Sequence, residues 1–144
     1  MEKLHLISAD TLFYQPLDHP KMLIDGILSN GLAILSGDSK IGKSWMVLWL
    51  CLKISMGEPV WGLPTAQTDV IYLALEDNDW RIQQRMQELI DEPPKNLHFG
   101  FSCGKLGAEL EGQIKGVLAD NPNTGLLFID TLQMVRDNVS SRVN

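Results

Sequence analysis

Cysteine is scarce in this chain. Only Cys51 and Cys103 occur in 144 residues, and neither has metal-like spacing or a local histidine partner, so no zinc-type centre organises the fold. Cys51 falls in an apolar stretch and reads as a buried thiol. Long apolar runs are also missing. The longest, residues 45–52, is eight residues, far short of the roughly 20 that a membrane helix needs. The start, Met1-Glu2-Lys3-Leu4-His5, lacks the basic region and apolar stretch of a secretory leader. Together these absences lead us to expect a cytoplasmic protein with no membrane partner. Positive charge is sparse as well: 12 Lys and Arg against 18 Asp and Glu, net −6. An acidic body argues against broad electrostatic capture of nucleic acid by this segment, though not against a local basic patch. There is no internal repeat, no low-complexity tract, and no arginine-rich lid of the kind small-molecule kinases carry. What remains, 44% apolar and 21% charged, is ordinary globular composition for about one domain.

What is present centres on Gly37-Asp38-Ser39-Lys40-Ile41-Gly42-Lys43-Ser44. The stretch fits G-x-x-x-x-G-K-[ST], the phosphate-cradling P-loop. The apolar run Leu32-Ala33-Ile34-Leu35 before it predicts a buried strand, and residues 45–56 after it predict a helix apolar on nearly every face. Such a helix should be buried on both sides, against a sheet and against either the N-terminal segment or a neighbouring subunit. Trp45 and Trp49 are expected in that core, with Gly57 as the C-cap. Gly37 and Gly42 allow a tight turn that brings backbone N–H groups up to an anion. Lys43 offers a mobile charge to the β- and γ-phosphates, and the Ser44 hydroxyl can ligate Mg²⁺. Asp38, Ser39, Ile41 and Trp45 complete the expected nucleotide-binding stretch. Lys40 reads either as a phosphate contact, a reach to a neighbouring subunit's nucleotide, or a solvent-facing lysine.

The remaining chain alternates strand and helix signals. Ser8 to Leu12 could open a short helix, and Met22-Leu23-Ile24 a short strand. Val70-Ile71-Tyr72-Leu73-Ala74-Leu75 predicts a buried strand ending in Glu76-Asp77-Asn78-Asp79, where open α/β sheets place their ligands. Asn78 or Asp79 can cap a helix over 80–90. Arg81 and Arg85 share one face of it and read as solvated. A strand over 97–101, carrying a surface His98, and a helix over 109–119 follow. Leu126-Leu127-Phe128-Ile129-Asp130 then has the form of a Walker B strand, a buried parallel strand delivering one carboxylate beside the P-loop to hold Mg²⁺. Glu76 is the candidate to orient and partly deprotonate an attacking water, with Asp77 and Asp79 competing for that job. The expected catalytic residues are thus Glu76 and Lys43, and the expected metal ligands Ser44 and Asp130. The pattern as a whole predicts an α/β P-loop NTPase with a mostly parallel sheet flanked by helices.

Residues 31–37, Lys40-Ile41-Gly42-Lys43-Ser44-Trp45, Tyr72-Leu73-Ala74-Leu75-Glu76-Asp77 and Phe128-Ile129-Asp130-Thr131-Leu132 together resemble RecA-like ATPases. More narrowly, they resemble the RepA-type hexameric helicase group of plasmids and prophages. The resemblance covers about 23–136. It implies a RecA-like core over 23–136, after a lead-in segment 1–22 and before a polar tail 137–144. It implies an ATP- and Mg²⁺-dependent enzyme of DNA replication or recombination. It further implies a homo-oligomeric ring or filament with nucleotide between subunits, and contact with single-stranded DNA. Members continue past the Walker B strand into a further strand with a polar sensor residue, arginine fingers and DNA-binding loops. Against that pattern the chain reads as a core incomplete at the C-terminus. The residues alone leave a second class open: a nucleotide-binding regulatory module that switches a partner without turnover.

Overall fold

The computed structural model describes residues 3–38 and 40–136. Ser39 of the loop, Met1 and Glu2 of the lead-in, and the tail 137–144 lie outside the described residues.

The core is a three-stranded parallel sheet with order β4-β3-β5, where β3 is Asp69–Ala74, β4 Leu97–Gly100 and β5 Thr124–Asp130. Val70 to Leu73 pair with Leu97 to Gly100, and Val70 to Ala74 pair with Leu126 to Asp130. The two strand–helix units expected between P-loop and Walker B strand are present: α3 (Asp79–Leu89) follows β3 and α4 (Ala108–Asp120) follows β4. The remaining elements are α1 (Ala9–Tyr14), a hairpin of β1 (Met22–Ile24) and β2 (Leu28–Ser29), α2 (Lys43–Met56) and α5 (Leu132–Val135). No helix of the described residues is long and apolar enough to cross a membrane.

The period of two along β3 splits its side chains between two layers. Val70, Tyr72 and Ala74 join the cluster built on α2, with Leu48, Cys51, Leu52 and Ile54. Ile71 and Leu73 face the other way, into a cavity of about 310 Å³ also lined by Leu110, Ile114 and Val117 of α4. The all-round apolar character of α2 is explained by its cover, since Ile24 and Val60 join the same cluster. The expectation of cover from the N-terminal segment fails. Residues 3–21 are exposed throughout, and the chain first enters the core at Ile24. Trp45 also departs from expectation. It is 37% exposed and lies against the Arg85 guanidinium of α3 instead of in the core, whereas Trp49 is part-buried against the core and lies 5.6 Å from the Trp61 ring.

The termini of α2 follow backbone chemistry. Gly42 precedes it at φ 89° and Gly57 ends it at φ 68°, both left-handed conformations that favour glycine. Near the end of the helix, the Ser55 carbonyl accepts hydrogen bonds from the amides of Gln67, at 3.2 Å, and Asn96, at 2.8 Å. These bonds tie α2 to the loops before β3 and β4. Asn78 caps α3, its side chain accepting from the Arg81 N–H at 2.9 Å.

The predicted strand over 32–35 does not form. This segment has no regular structure, and Leu32, Ile34 and Leu35 are 95%, 76% and 44% exposed. The physical reason is pairing. An apolar run becomes a strand only where neighbours satisfy its N–H and C=O groups, and among the described residues no strand pairs with this run or with the outer edge of β5. For the same reason β5, expected to be buried, is not: none of its seven residues is fully buried.

Candidate functional site

The parallel register sets the site. Ala74 pairs with Asp130, so β3 and β5 end at the same level, and the residues just beyond, Glu76 and Thr131, meet side by side. The Thr131 hydroxyl donates to Glu76 Oε1 at 3.1 Å. The first turn of α2 arrives at this edge from the P-loop. There the Ser44 hydroxyl donates to Asp130 Oδ2 at 2.7 Å, a contact between residues 86 apart in the chain. The two halves of the expected metal site are therefore in direct contact. Tyr72, beneath them in β3, donates its hydroxyl to the same oxygen at 2.8 Å. Burial, and then the hydrogen bond and charge of Asp130, push the Tyr72 phenol above its ordinary range, so it stays a donor. Burial, with Asp130 adding to it, likewise pushes up the Cys51 thiol, which is fully buried as expected.

The P-loop itself is open. Residues 31–38 and 40–42 are exposed. Lys43 folds back on the loop: its ammonium donates to the Gly37 carbonyl and, at 2.6 Å, to that of Asp38. The loop carbonyls thus hold the cation that the sequence assigns to phosphate. Ile41 is 64% exposed, and its Cδ1 sits over the face of Gly37, 2.7 Å from where a Cβ would be. Lys40 is exposed and takes a left-handed φ of 64°. Glu76 is exposed at the mouth of the site, while Asp79 is committed to the start of α3, where its Oδ1 accepts from the Trp80 N–H at 2.7 Å.

Asp77 and Arg85 carry structure that the sequence did not disclose. The carboxylate of Asp77 is only 9% exposed; it pairs with Arg85 and, at 3.8 Å, with Arg81. The Arg85 guanidinium also lies 5.2 Å from the centre of the Trp45 ring, a cation–π contact. The solvated-face reading of Arg85 is therefore corrected, whereas Arg81, its side chain 57% exposed, keeps it. Only the i, i+4 spacing of Asp77 and Arg81 hinted at a pair, and nothing local linked Arg85 to Trp45. His98 is exposed on β4, as expected.

The donor chemistry fits Mg²⁺. A hydroxyl and a carboxylate are hard oxygen donors, and Mg²⁺ characteristically takes one or two carboxylates, with phosphate and water filling the other positions. Among the described residues no cluster of three or more His, Cys, Asp or Glu could hold a metal by itself. The larger cavity, about 700 Å³, lies at the opposite end of the strands, between the end of α2 and residues 89–96. Its lining includes none of Ser44, Tyr72, Glu76 and Asp130.

A family model described as an AAA domain matches residues 2–143. The chain belongs to the AAA domain family. No curated protein matches the chain, and no solved structure does. AAA domains are nucleotide-binding modules of the P-loop ATPase kind, and the three-stranded parallel sheet flanked by helices is consistent with that class.

Proposed function

We propose that this AAA domain binds ATP with Mg²⁺ and hydrolyses it as part of a RecA-like, helicase-like motor acting in DNA replication or recombination. The observation that carries the reading is the 2.7 Å bond from Ser44 Oγ to Asp130 Oδ2. It joins the serine of the P-loop to the carboxylate of the Walker B strand, the two protein groups that an Mg²⁺–nucleotide site requires. Residues 37–45 line the nucleotide: Gly37, Asp38, Ser39, Lys40, Ile41 and Gly42 offer backbone N–H groups, and Lys43 exchanges its loop carbonyls for the β- and γ-phosphates. Ser44 and Asp130 would hold Mg²⁺, which when bound neutralises charge on the phosphates. Glu76, steadied by Thr131 and exposed at the mouth, orients the attacking water and takes up its proton. Assembly into a homo-oligomeric ring or filament, single-stranded DNA as a partner, and a cytoplasmic setting belong to the same proposal. Their support is the resemblance to RepA-type helicases.

The back-folded Lys43 favours a second reading, a regulatory module in which nucleotide releases the lysine and resets the loop without turnover. Calorimetry of Mg²⁺–ATP with phosphate release followed in the same samples tests both. Lys43→Ala should abolish measurable binding. Glu76→Gln should keep binding and lose about 10²–10⁴-fold in turnover, the usual contribution of a positioned base. A wild type that binds ATP yet releases no phosphate, with Glu76→Gln indistinguishable from it, would favour the switch. A Lys43→Ala variant that binds as well as wild type would remove the nucleotide reading altogether.

A further inference from the structure

One hydroxyl in this site has no part in the proposed chemistry. Tyr72 is the single polar side chain between Val70 and Ala74 of β3 and is fully buried. Its register partners on either side are Phe99 of β4 and Phe128 of β5. The three rings form a row across the sheet, with centroids 5.9 Å apart for Tyr72–Phe99 and 6.3 Å for Tyr72–Phe128. Phenylalanine would complete such a row without bringing a hydroxyl that needs a partner. The hydroxyl finds its partner in Asp130 Oδ2, the oxygen that also takes the Ser44 proton.

We propose that Tyr72 is a positioning residue for Asp130, holding its carboxylate so that Ser44 and Asp130 present a preassembled pair of oxygens to the cation. The inference rests on the Mg²⁺–nucleotide reading above. Two donors on one carboxylate oxygen, one from α2 and one from β3, fix the carboxylate rotamer and leave Oδ1 free of both. A serine hydroxyl has one proton and two lone pairs. With its proton on Asp130, the lone pairs of Ser44 stay available to a cation. The aromatic neighbours lock the Tyr72 ring, so the hydroxyl cannot follow Asp130 if the carboxylate turns. Outer-shell partners of this kind typically account for 10–100-fold in metal affinity.

The test is ADP binding by calorimetry across a series of Mg²⁺ concentrations, with wild type and Tyr72→Phe. Tyr72→Phe removes one oxygen and leaves the ring in its row. The Mg²⁺-free affinity for ADP should be unchanged, while about tenfold more Mg²⁺ should be needed to reach the same enhancement. In an Asp130→Ala background the Tyr72→Phe change should add nothing. A probe that leaves packing intact accompanies it: 3-fluorotyrosine incorporation labels Tyr14 and Tyr72, and Mg²⁺ with ADP should shift the Tyr72 ¹⁹F resonance but not that of Tyr14, which is 81% exposed. Superimposable Mg²⁺ curves for wild type and Tyr72→Phe would overturn the inference, as would an equal loss in Mg²⁺-free binding or a Tyr72 resonance indifferent to Mg²⁺. A wild type that binds no ADP at all would overturn the nucleotide reading and this inference with it.

Discussion

Two short apolar runs, Leu32-Ala33-Ile34-Leu35 and Val70-Ile71-Tyr72-Leu73, read alike as buried strands, and the protein treats them differently. The second is β3, hydrogen-bonded on both sides and covered by α2 on one face. The first carries no regular structure, and Leu32 is 95% exposed. Each strand residue satisfies its backbone only through a neighbour, and β3 has two where residues 32–35 have none among the described residues. The two runs lead to different parts of the candidate site. β3 delivers Glu76 and the Tyr72 hydroxyl to the C-terminal edge of the sheet; residues 32–35 lead into an exposed loop whose lysine folds back on its own carbonyls. The sheet and the start of α2 bring Asp130 and Ser44 together, while residues 31–38 and 40–42 lie exposed beside them.

The same substitution in each run breaks this comparison most directly. Leu73→Pro should unfold the sheet or destabilise it by at least about 3 kcal/mol. Proline removes a ladder N–H from the central strand and leaves its acceptor unpaired. Chemical denaturation followed by circular dichroism would show the loss, and a Leu73→Pro variant with a wild-type midpoint would contradict the central place of β3.

Much of the candidate site is legible in the amino-acid sequence alone, for a physical reason. The P-loop, the acidic strand tip at Glu76 and the strand ending in Asp130 are local patterns, each set by the chemistry of a few consecutive residues. The parallel sheet follows from strand–helix alternation. What stays hidden depends on pairs distant in sequence. Asp77, Arg85 and Trp45 meet only because α3 packs beside the start of α2. Tyr72 looks like any apolar strand residue until the register sets it beneath Asp130. The reading of 32–35 as a strand fails by the same logic in reverse, because hydropathy reports a preference for burial and says nothing of whether a pairing edge is on hand.

Arg85 marks the border between the sheet and the exposed loop. The guanidinium joins the tip of β3, through Asp77, to the first turn of α2, through Trp45. Arg85→Ala leaves a carboxylate that is 9% exposed without its main partner, at a cost of about 2 kcal/mol, within the usual range for orphaning a mostly buried polar group. Arg85→Lys keeps the charge but not the planar fork, so thermal denaturation should place it between the two. Trp45 emission, read as the difference between wild type and Trp45→Phe, should shift in Arg85→Ala. An unchanged spectrum and midpoint would mean that the P-loop helix is not anchored to the β3 tip.

Ala33→Pro should have the smallest effect and be the most discriminating. In a central strand this change would cost about as much as Leu73→Pro, since proline cannot donate to a ladder. In an exposed, unpaired segment no N–H bond is lost, and surface substitutions away from special features usually stay within about 0.5 kcal/mol. The ligand-free denaturation midpoint of Ala33→Pro should therefore match wild type. Nucleotide binding adds a second reading of the same variant. If residues 32–35 gain a ladder only when the loop closes on phosphate, Ala33→Pro will weaken Mg²⁺–ATP binding while leaving ligand-free stability untouched. If they stay unpaired, neither quantity moves. A ligand-free loss of several kcal/mol would show that this run is a paired strand after all, and that its likeness to β3 in sequence is a likeness in structure.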